Sequence, residues 1–441
     1  MTREEEAQQA LLQTQFAPGA ALTLTGVLLA VIFTVPLLQC IVDVRQPDKK
    51  TAAVFSTPQE QQRDAPSGES NDPLASPAPD RRSPGVRGFL RTVVSSAGRM
   101  RSYARRVAQN SVVTENILPP AQLVLTSALG MGNQQVILGR DGWFFYTEDV
   151  KYLAHGPFLA DPTRANAIID QITSAQRQLA QRGIKLILLP IPPKPVIYPE
   201  KLSSRFDGSQ PLQNPSYDPL LKQLRAQGVT VFDVTPVLRE AKKQSAKPLY
   251  MLMDTHWSPA GMSHVAQALA QFIKDSRLLP PGTPLQLTRH STTIQRTGDL
   301  IDVLRLPQNQ SQFLEQVTVE QIQTADGALL RPRQDADVLL VGDSLAAVFG
   351  GGDSKNNKAA GLVEHLAAKL ERPVDCILHP LTLSPMEHAA RVLAADPKRL
   401  NNKRLVIWEF NARWLAVGRW GKIDLSLAPG ANSTQPLIAT R

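Results

Sequence analysis

The sequence predicts an α/β fold built on an open, mostly parallel sheet with helices on both faces. Helix-like and strand-like segments alternate through most of the chain, the connections between them are short, and the strand-like segments are continuous apolar runs. Such runs are typical of strands buried on both faces, as parallel strands with crossover helices require. The 441 residues, 42% of them hydrophobic, suffice to bury one large core or two modest ones.

The first predicted elements are a hairpin, a helix and a buried strand. Residues 134–147 give the hairpin, because glycines and polar residues at 139–142 separate two apolar runs. The helix begins after Asp161, with Pro162 in its first turn, and ends before Gly183. The strand is "IKLILLPIP", which follows at once.

The same alternation continues toward the C-terminus. The further predicted elements are a helix over 219–228, a strand over 229–234, a helix from Ser258, a strand over 336–342, a helix over 358–370, a strand over 374–379, a helix over 387–395 and a strand over 404–410. Ligands of open α/β sheets bind beyond the carboxyl ends of the strands. Functional side chains are therefore expected directly after these strands.

Composition divides the chain into six segments. They are a polar N-terminal tail (1–15), a transmembrane anchor (16–42), a disordered Pro/Ser-rich tether (43–86), a basic amphipathic helix (87–109), the α/β domain (110–420) and a C-terminal tail (421–441). No charged residue occurs between Ala7 and Val42, and the apolar centre at 21–38 is close to the roughly 20 residues that cross a bilayer. A cleaved signal peptide is the alternative, although the run is longer than the usual apolar region of such peptides.

The net charge of +9 comes from one segment. Eight arginines and no acidic residue lie between Arg81 and Ser111, and the rest of the chain has 40 basic and 39 acidic residues. This distribution predicts no nucleic-acid partner. The basic helix either docks on the body through its apolar stripe or contacts an acidic polymer or anionic lipid. Cys40 and Cys376 build neither a zinc site nor a disulfide framework.

A candidate nucleophile lies in "DVLLVGDSLAAVFG". Ser344 is placed at the carboxyl end of a strand and the amino end of a helix, where backbone N–H groups and the helix dipole favour a developing negative charge. The alternative is that the serine only caps the helix.

A candidate base lies in "MLMDTHWSPAG". In an extended segment Asp254 and His256 face the same way, so the carboxylate orients the imidazole. The alternative is a hydrogen-bonded core histidine, and Trp257 is either a core residue or a wall for a sugar ring. Because a nucleophile needs a base and the base needs an orienting group, the two segments together favour catalysis.

Asp254-Thr255-His256-Trp257, followed by Gly342-Asp343-Ser344, resembles the periplasmic alginate O-acetyltransferase group of the SGNH-hydrolase superfamily. Other matching segments, within a resemblance over about 110–420, are 139–146, 189–202, 296–307 and 406–415. The resemblance implies Ser344 as nucleophile, His256 as base and Asp254 as orienting residue. It also implies acetyl transfer through an acyl-serine to hydroxyls of an exported polysaccharide, without cofactor or metal. Substrate contacts are expected from Trp257, Lys194, Tyr198 and Arg296.

The resemblance also implies a location and partners. The chain is similar to the membrane-anchored, single-domain members, because no carbohydrate-binding module follows the domain. We expect an inner-membrane protein with its body in the periplasm, an exopolysaccharide acceptor and an integral-membrane acyltransferase that supplies the acetyl group. The charges beside the apolar run weakly favour the opposite orientation. Beyond the backbone N–H of Ser344, the donors of an oxyanion hole are not identified.

Three other functions fit parts of the sequence. An esterase would use the same triad and pass the acyl group to water. A metal-dependent phosphoesterase would need further histidine and asparagine ligands that the sequence does not supply in a recognisable motif. A non-catalytic polysaccharide-binding scaffold would retain the fold alone.

Overall fold

A computed structural model of the chain describes residues 34, 116–209, 211–307, 310–350, 358–379 and 384–425. The chain divides into two compact units, 1–124 and 125–441, and the sheet and the site described below belong to the second. The predicted anchor, tether and basic helix lie outside the described residues apart from Thr34, as does most of the C-terminal tail. Within the described part of the chain, no helix has the length and apolar character needed to cross a bilayer.

The elements alternate as the sequence predicts. In chain order the strands are β1 (Val136–Leu138), β2 (Phe144–Tyr146), β3 (Lys185–Ile191), β4 (Thr230–Val231), β5 (Leu287–Thr297), β6 (Leu314–Thr324), β7 (Val338–Gly342), β8 (Asp375–Leu378) and β9 (Leu405–Asn411). The helices are α1 (Leu118–Leu129), α2 (Thr147–Ala154), α3 (Pro162–Ala180), α4 (Lys194–Ile197), α5 (Pro199–Leu202), α6 (Tyr217–Ala226), α7 (Thr235–Gln244), α8 (Pro259–Asp275), α9 (Asp299–Leu304), α10 (Ser344–Ala347), α11 (Leu362–Leu370), α12 (Pro385–Ala395) and α13 (Trp414–Val417).

The central sheet has the strand order β4-β3-β9-β7-β8, and every neighbouring pair is parallel. All residues of β7 and β9 are buried, and so are all residues of β3 except Lys185. Because successive side chains of a strand point to opposite faces, both faces of the sheet are covered. The predicted fold class is therefore confirmed.

Local signals were accurate where a cap or turn fixes the backbone. Asp161 accepts hydrogen bonds from the N–H groups of Thr163 and Arg164 at the start of α3, and Ser258 accepts one from Gly261 at the start of α8. Asp141 and Gly142 have positive φ angles in the turn between β1 and β2. These contacts confirm the predicted hairpin and both helix starts.

Two expectations were wrong in extent, and one pair of strands was missed. The strand predicted over 229–234 is only the two residues of β4, and the helix after Ser344 is the single turn α10. The antiparallel pair of β5 and β6 was not predicted. Its residues are mostly polar and half-buried, so the apolar signal of a central strand is missing.

The parallel strands give the sheet two distinct edges. Ile191, Gly342, Leu378 and Asn411 end their strands at one edge, which we call the carboxyl edge. The strands begin at the opposite edge, which we call the amino edge. Chemistry is expected at the carboxyl edge.

Candidate active site

The serine junction comprises residues 342–345 at the end of β7. Asp343 accepts hydrogen bonds from the N–H groups of Leu345 (2.9 Å) and Asn411 (2.9 Å), and its own N–H donates to Glu409 Oε2 (2.9 Å). A side chain on Gly342 would clash, since its Cβ would lie 2.7 Å from both Ala346 Cβ and Glu409 Oε2. These contacts fix the turn that presents the half-buried Ser344 at the carboxyl edge.

Glu409 is a buried acid without a cationic partner at this junction. Burial, followed by the negative charge of Asp343, raises the pKa of Glu409 well above its ordinary value. The protonated form is therefore favoured, and a carboxylic acid in that form donates one hydrogen bond and accepts others. Glu409 thus braces β9 against β7 through its contact with the Asp343 N–H.

The histidine loop comprises residues 251–257. Asp254 Oδ1 accepts from both Nδ1 of His256 (2.6 Å) and its backbone N–H (2.9 Å). The acid therefore orients the imidazole as the sequence predicts. The predicted backbone conformation is wrong, however, because residues 254–256 form a turn and not the extended end of a strand. Such a turn is stabilised when a side chain, here that of Asp254, accepts a hydrogen bond from the backbone N–H of the residue two positions later, here His256.

Two charged residues from other segments hold the backbone of this loop. Lys194, fully buried, donates from Nζ to the carbonyls of Met251 (3.0 Å), Leu252 (3.0 Å) and Asp254 (2.8 Å). Burial lowers the pKa of Lys194 to about 8, against the raising effect of nearby carboxylates. Glu315 accepts from the N–H groups of Leu252 and Met253. The loop thus combines backbone hydrogen bonds, such as that from the Met251 N–H to the His256 carbonyl, with contacts from buried side chains.

Arg296 and Asp299 complete the surroundings of Asp254. Arg296 donates from Nη2 to Asp254 Oδ2 (3.0 Å), and the N–H of Asp299 donates to the same oxygen (3.2 Å). Asp299 in turn accepts from the N–H and hydroxyl of Thr255. Its Oδ2 lies 3.6 Å from His256 Nδ1. The imidazole therefore has two carboxylates on one side.

The charges set the protonation states of this cluster. Burial acts to raise the pKa of Asp254, but the charge and hydrogen bond of His256 and the charge of Arg296 outweigh it and hold that pKa well below its ordinary value. Burial acts to lower the pKa of His256, but Asp254 and then Asp299 raise it overall. An ionised acid beside a histidine of raised pKa is suited to accepting a proton on the other ring nitrogen.

That other nitrogen, Nε2 of His256, is buried and has no hydrogen-bond partner among the described residues. The serine segment lies close by, because the Arg296 guanidinium packs over the Phe349 ring at 5.1 Å. The charge of His256 acts to lower the pKa of Asp149. Arg413 donates to Asp149, and the charge of Asp343 acts to raise the pKa of Arg413. Both segments therefore belong to the carboxyl edge. A hydrogen bond between Ser344 and His256 stays a prediction.

The four expected substrate contacts have different surroundings. Trp257 is fully buried in the core, and the Tyr198 hydroxyl accepts from the N–H of Leu249 (2.9 Å). Lys194 directs its ammonium group at the loop carbonyls described above. Arg296 has its Nε and Nη1 atoms buried without a partner among the described residues. Contact with substrate stays a prediction for all four, and Arg296 and Trp257 (through Nε1) have donors without a partner among the described residues.

Asp254, His256 and Asp299 also have ligand atoms within 4.8 Å of one another, the spacing of a metal site. The positively charged Arg296 donates to Asp254, and Thr255 donates to both carboxylate oxygens of Asp299. These donors compete with a cation for the same oxygens. The cluster is accounted for by hydrogen bonds within the protein, and the prediction of a metal-independent site is retained.

Comparisons with known proteins identify the family of the chain. Residues 136–412 match the family model described as an SGNH hydrolase-like domain, acetyltransferase AlgX. The chain belongs to this family. It is 30% identical over 294 residues to the probable alginate O-acetylase AlgJ of Pseudomonas aeruginosa, covering 64% of this chain and 71% of that protein. It is 28% identical over 304 residues to the protein of the same name from Pseudomonas putida, covering 67% and 73%.

Among solved structures, the O-acetyltransferase domain of Pseudomonas putida AlgJ is similar in fold, with a TM-score of 0.50 and 25% sequence identity. The match covers 66% of this chain and 94% of that domain. The resemblance drawn from the sequence motifs is confirmed, and with it the acyltransferase class.

Several residues of the site were not predicted from the sequence. They are Asp149, Asp299, Glu315, Glu409 and Arg413. Asp299 and Arg413 lie inside segments that carry the family resemblance, which was the available signal. Nothing in the local sequence marks Asp149 or Glu315, because their partners lie far away along the chain.

Proposed function

We propose that this protein transfers an acetyl group, through an acyl-serine formed on Ser344, to hydroxyl groups of an exported polysaccharide. The observation that carries the proposal is the orientation of His256, bound to the ionised Asp254 on one ring nitrogen and without a partner among the described residues on the other. Membership of the acetyltransferase family supports the reaction class. The names of the alginate O-acetylase relatives support a polysaccharide acceptor.

In the first half-reaction Ser344 Oγ gives its proton to His256 Nε2 and bonds to the acetyl carbonyl carbon. The bond from that carbon to the donor's leaving atom breaks, and the leaving group takes the proton from the imidazolium. In the second, an acceptor hydroxyl gives its proton to the same nitrogen and attacks the acyl carbon. Ser344 recovers the proton as the ester bond to it breaks. Asp254 stays ionised and stabilises the imidazolium.

We further propose that residues 16–42 anchor the chain in a bacterial inner membrane with the body in the periplasm. An integral-membrane acyltransferase then supplies the acetyl group. The uncharged run from Ala7 to Val42 supports the anchor. Exported polysaccharide is available only outside the cytoplasm, which supports the orientation. A reporter fused after Arg441 that is active only in the cytoplasm would contradict it.

The test of the reaction uses the purified full-length protein with an activated acetyl ester and oligosaccharide acceptors. We expect acetylated sugar to exceed free acetate, and both to disappear in Ser344→Ala, whereas Ser276→Ala, at an exposed serine, keeps both. A fluorophosphonate should add its mass to the peptide containing Ser344. Free acetate without acetylated sugar would support the esterase, and undiminished transfer by Ser344→Ala would remove Ser344 from the mechanism.

A further inference from the structure

The amino edge of the central sheet carries a cleft of about 780 Å³. It lies at the far end of the strands from Ser344, since Lys185 begins β3 and Arg404 directly precedes β9. Every charged side chain that lines it is basic, namely Lys185, Lys274, Arg277, Arg372 and Arg404. None of these residues takes part in the site described above.

Most of these cations lack an acidic partner. Arg372 pairs with Asp337 (2.8 Å), and Lys185 Nζ donates to the carbonyls of Arg277 (3.4 Å) and Leu278 (3.1 Å). Lys274, Arg277 and Arg404 are exposed and make no side-chain hydrogen bond or ion pair with another described residue. An accumulation of like charge in a concave surface raises the local concentration of anions.

The walls of the cleft are shaped around one of the arginines. Arg372 also donates to the carbonyl of Pro280 (2.8 Å), and a Cβ on Gly282 would lie 2.6 Å from its Nη2. The guanidinium therefore packs directly on the backbone at Gly282, with one face of the cleft formed by Pro280 and Pro281. Both terminal nitrogens of Arg372 are thus engaged within the protein, so Arg372 shapes the wall and leaves Lys274, Arg277 and Arg404 as the cations that can contact an anion.

The remaining lining distinguishes between anionic polymers. Single-stranded nucleic acid is held by aromatic stacking as well as charge, and no aromatic side chain of the described residues lines the cleft. A membrane surface is bound by large apolar side chains beside the cations. The leucine and isoleucine side chains that line the cleft, Ile273, Leu278, Leu279 and Leu370, are buried or half-buried, whereas the exposed large apolar residues of the described chain lie between Ile117 and Met131. A cleft that offers positive charge, but neither aromatic rings for stacking nor exposed apolar side chains for insertion into a bilayer, fits an acidic glycan.

We propose that this cleft is a second, non-catalytic binding site for a carboxylate-bearing polysaccharide. β3 spans seven residues, so the cleft and the carboxyl edge are roughly 20 Å apart. The cleft therefore holds a different stretch of polymer from the one being acetylated. Holding one stretch raises the effective concentration of the next sugars at Ser344. This role in catalysis rests on the proposed function, whereas the binding itself does not.

The test measures binding of an end-labelled oligouronate to the full-length protein without acetyl donor. The cleft variant carries Lys274→Glu, Arg277→Glu and Arg404→Glu. The control carries the same charge change at exposed positions that do not line the cleft, Arg205→Glu, Lys222→Glu and Lys247→Glu. We expect the Kd to rise at least tenfold in the cleft variant and less than threefold in the control, and wild-type binding to weaken with salt.

Equal Kd values for the two variants would overturn the proposal. So would tighter, cleft-dependent binding of single-stranded DNA or of anionic phospholipid vesicles than of the oligouronate. Ser344→Ala should bind the oligouronate with the same Kd as the wild type. The binding result can therefore be interpreted even if no acetyl transfer is observed. If transfer is observed, the cleft variant should raise KM for long polymers and leave kcat and the KM for short acceptors unchanged.

Discussion

The serine junction and the histidine loop are held in place by different means. The junction ends a central strand, and its supports, Glu409 and Asn411, come from the neighbouring strand β9. The loop belongs to no strand of the sheet. Its backbone and its acid are held by Lys194, Arg296, Asp299 and Glu315, which come from several other segments of the chain.

This difference separates two ways of positioning a catalytic group. A turn at the end of a parallel strand takes much of its geometry from the sheet, so a conservative change at a supporting side chain such as Glu409 is expected to be tolerated, although Gly342 has no room for a side chain. The histidine loop is closed by a β-bridge between Tyr250 and Trp257 but lies outside the sheet, so it depends more on the side chains that satisfy its backbone groups. We therefore expect conservative changes to damage the histidine loop more than the serine junction.

Asp254→Asn should give the largest effect. The amide presents either a donor or an acceptor to Nδ1, so it no longer fixes the tautomer or stabilises the imidazolium. We expect kcat for acetyl transfer to fall on the order of 10³-fold, with the fold retained by circular dichroism. A loss of less than tenfold would show that Asp254 does not orient the base.

Lys194→Met should come next. It removes the donors to three buried carbonyls, which costs about 2–4 kcal/mol in the free energy of unfolding, and it loosens the loop that carries His256. We expect kcat to fall roughly 10- to 100-fold, while the KM for the acceptor changes little. Urea unfolding and steady-state kinetics measure the two effects.

The matched change at the serine junction is Glu409→Gln. Because the raised pKa favours the neutral acid, the amide replaces it with similar shape and hydrogen-bonding capacity. We expect a change in unfolding free energy within about 1 kcal/mol. If Glu409→Gln is as damaging as Lys194→Met, the contrast between the two regions is wrong.

Asp299→Asn should have the smallest effect, seen in the pH profile. The base must be neutral, so the rate falls as pH falls through the pKa of His256, which Asp254 and Asp299 raise above the ordinary 6.5. Removing the Asp299 charge lowers that pKa. The acidic limb of kcat/KM should therefore move to lower pH. An unmoved limb would show that Asp299 does not act on the imidazole as a charge.

The fold and the serine junction were predictable because their signals are local. Continuous apolar runs marked β3, β7 and β9, and Asp161 and Ser258 marked helix starts, all of which the structure confirms. The histidine loop was predicted with the right contact and the wrong backbone. The pair β5 and β6 was missed because its polar surface gives no apolar pattern, although β5 delivers Arg296 to the site.

The sequence by itself determined the order of elements, the turn before Ser344 and the pairing of Asp254 with His256. Each depends on residues a few positions apart, whose geometry the backbone restricts. Only the tertiary structure decided which charges act on these groups. Lys194, Asp299 and Glu315 reach the histidine loop, and five cations gather at the amino edge, through long-range packing. Electrostatic effects depend on distance in space and on burial, and neither can be read from separation along the chain.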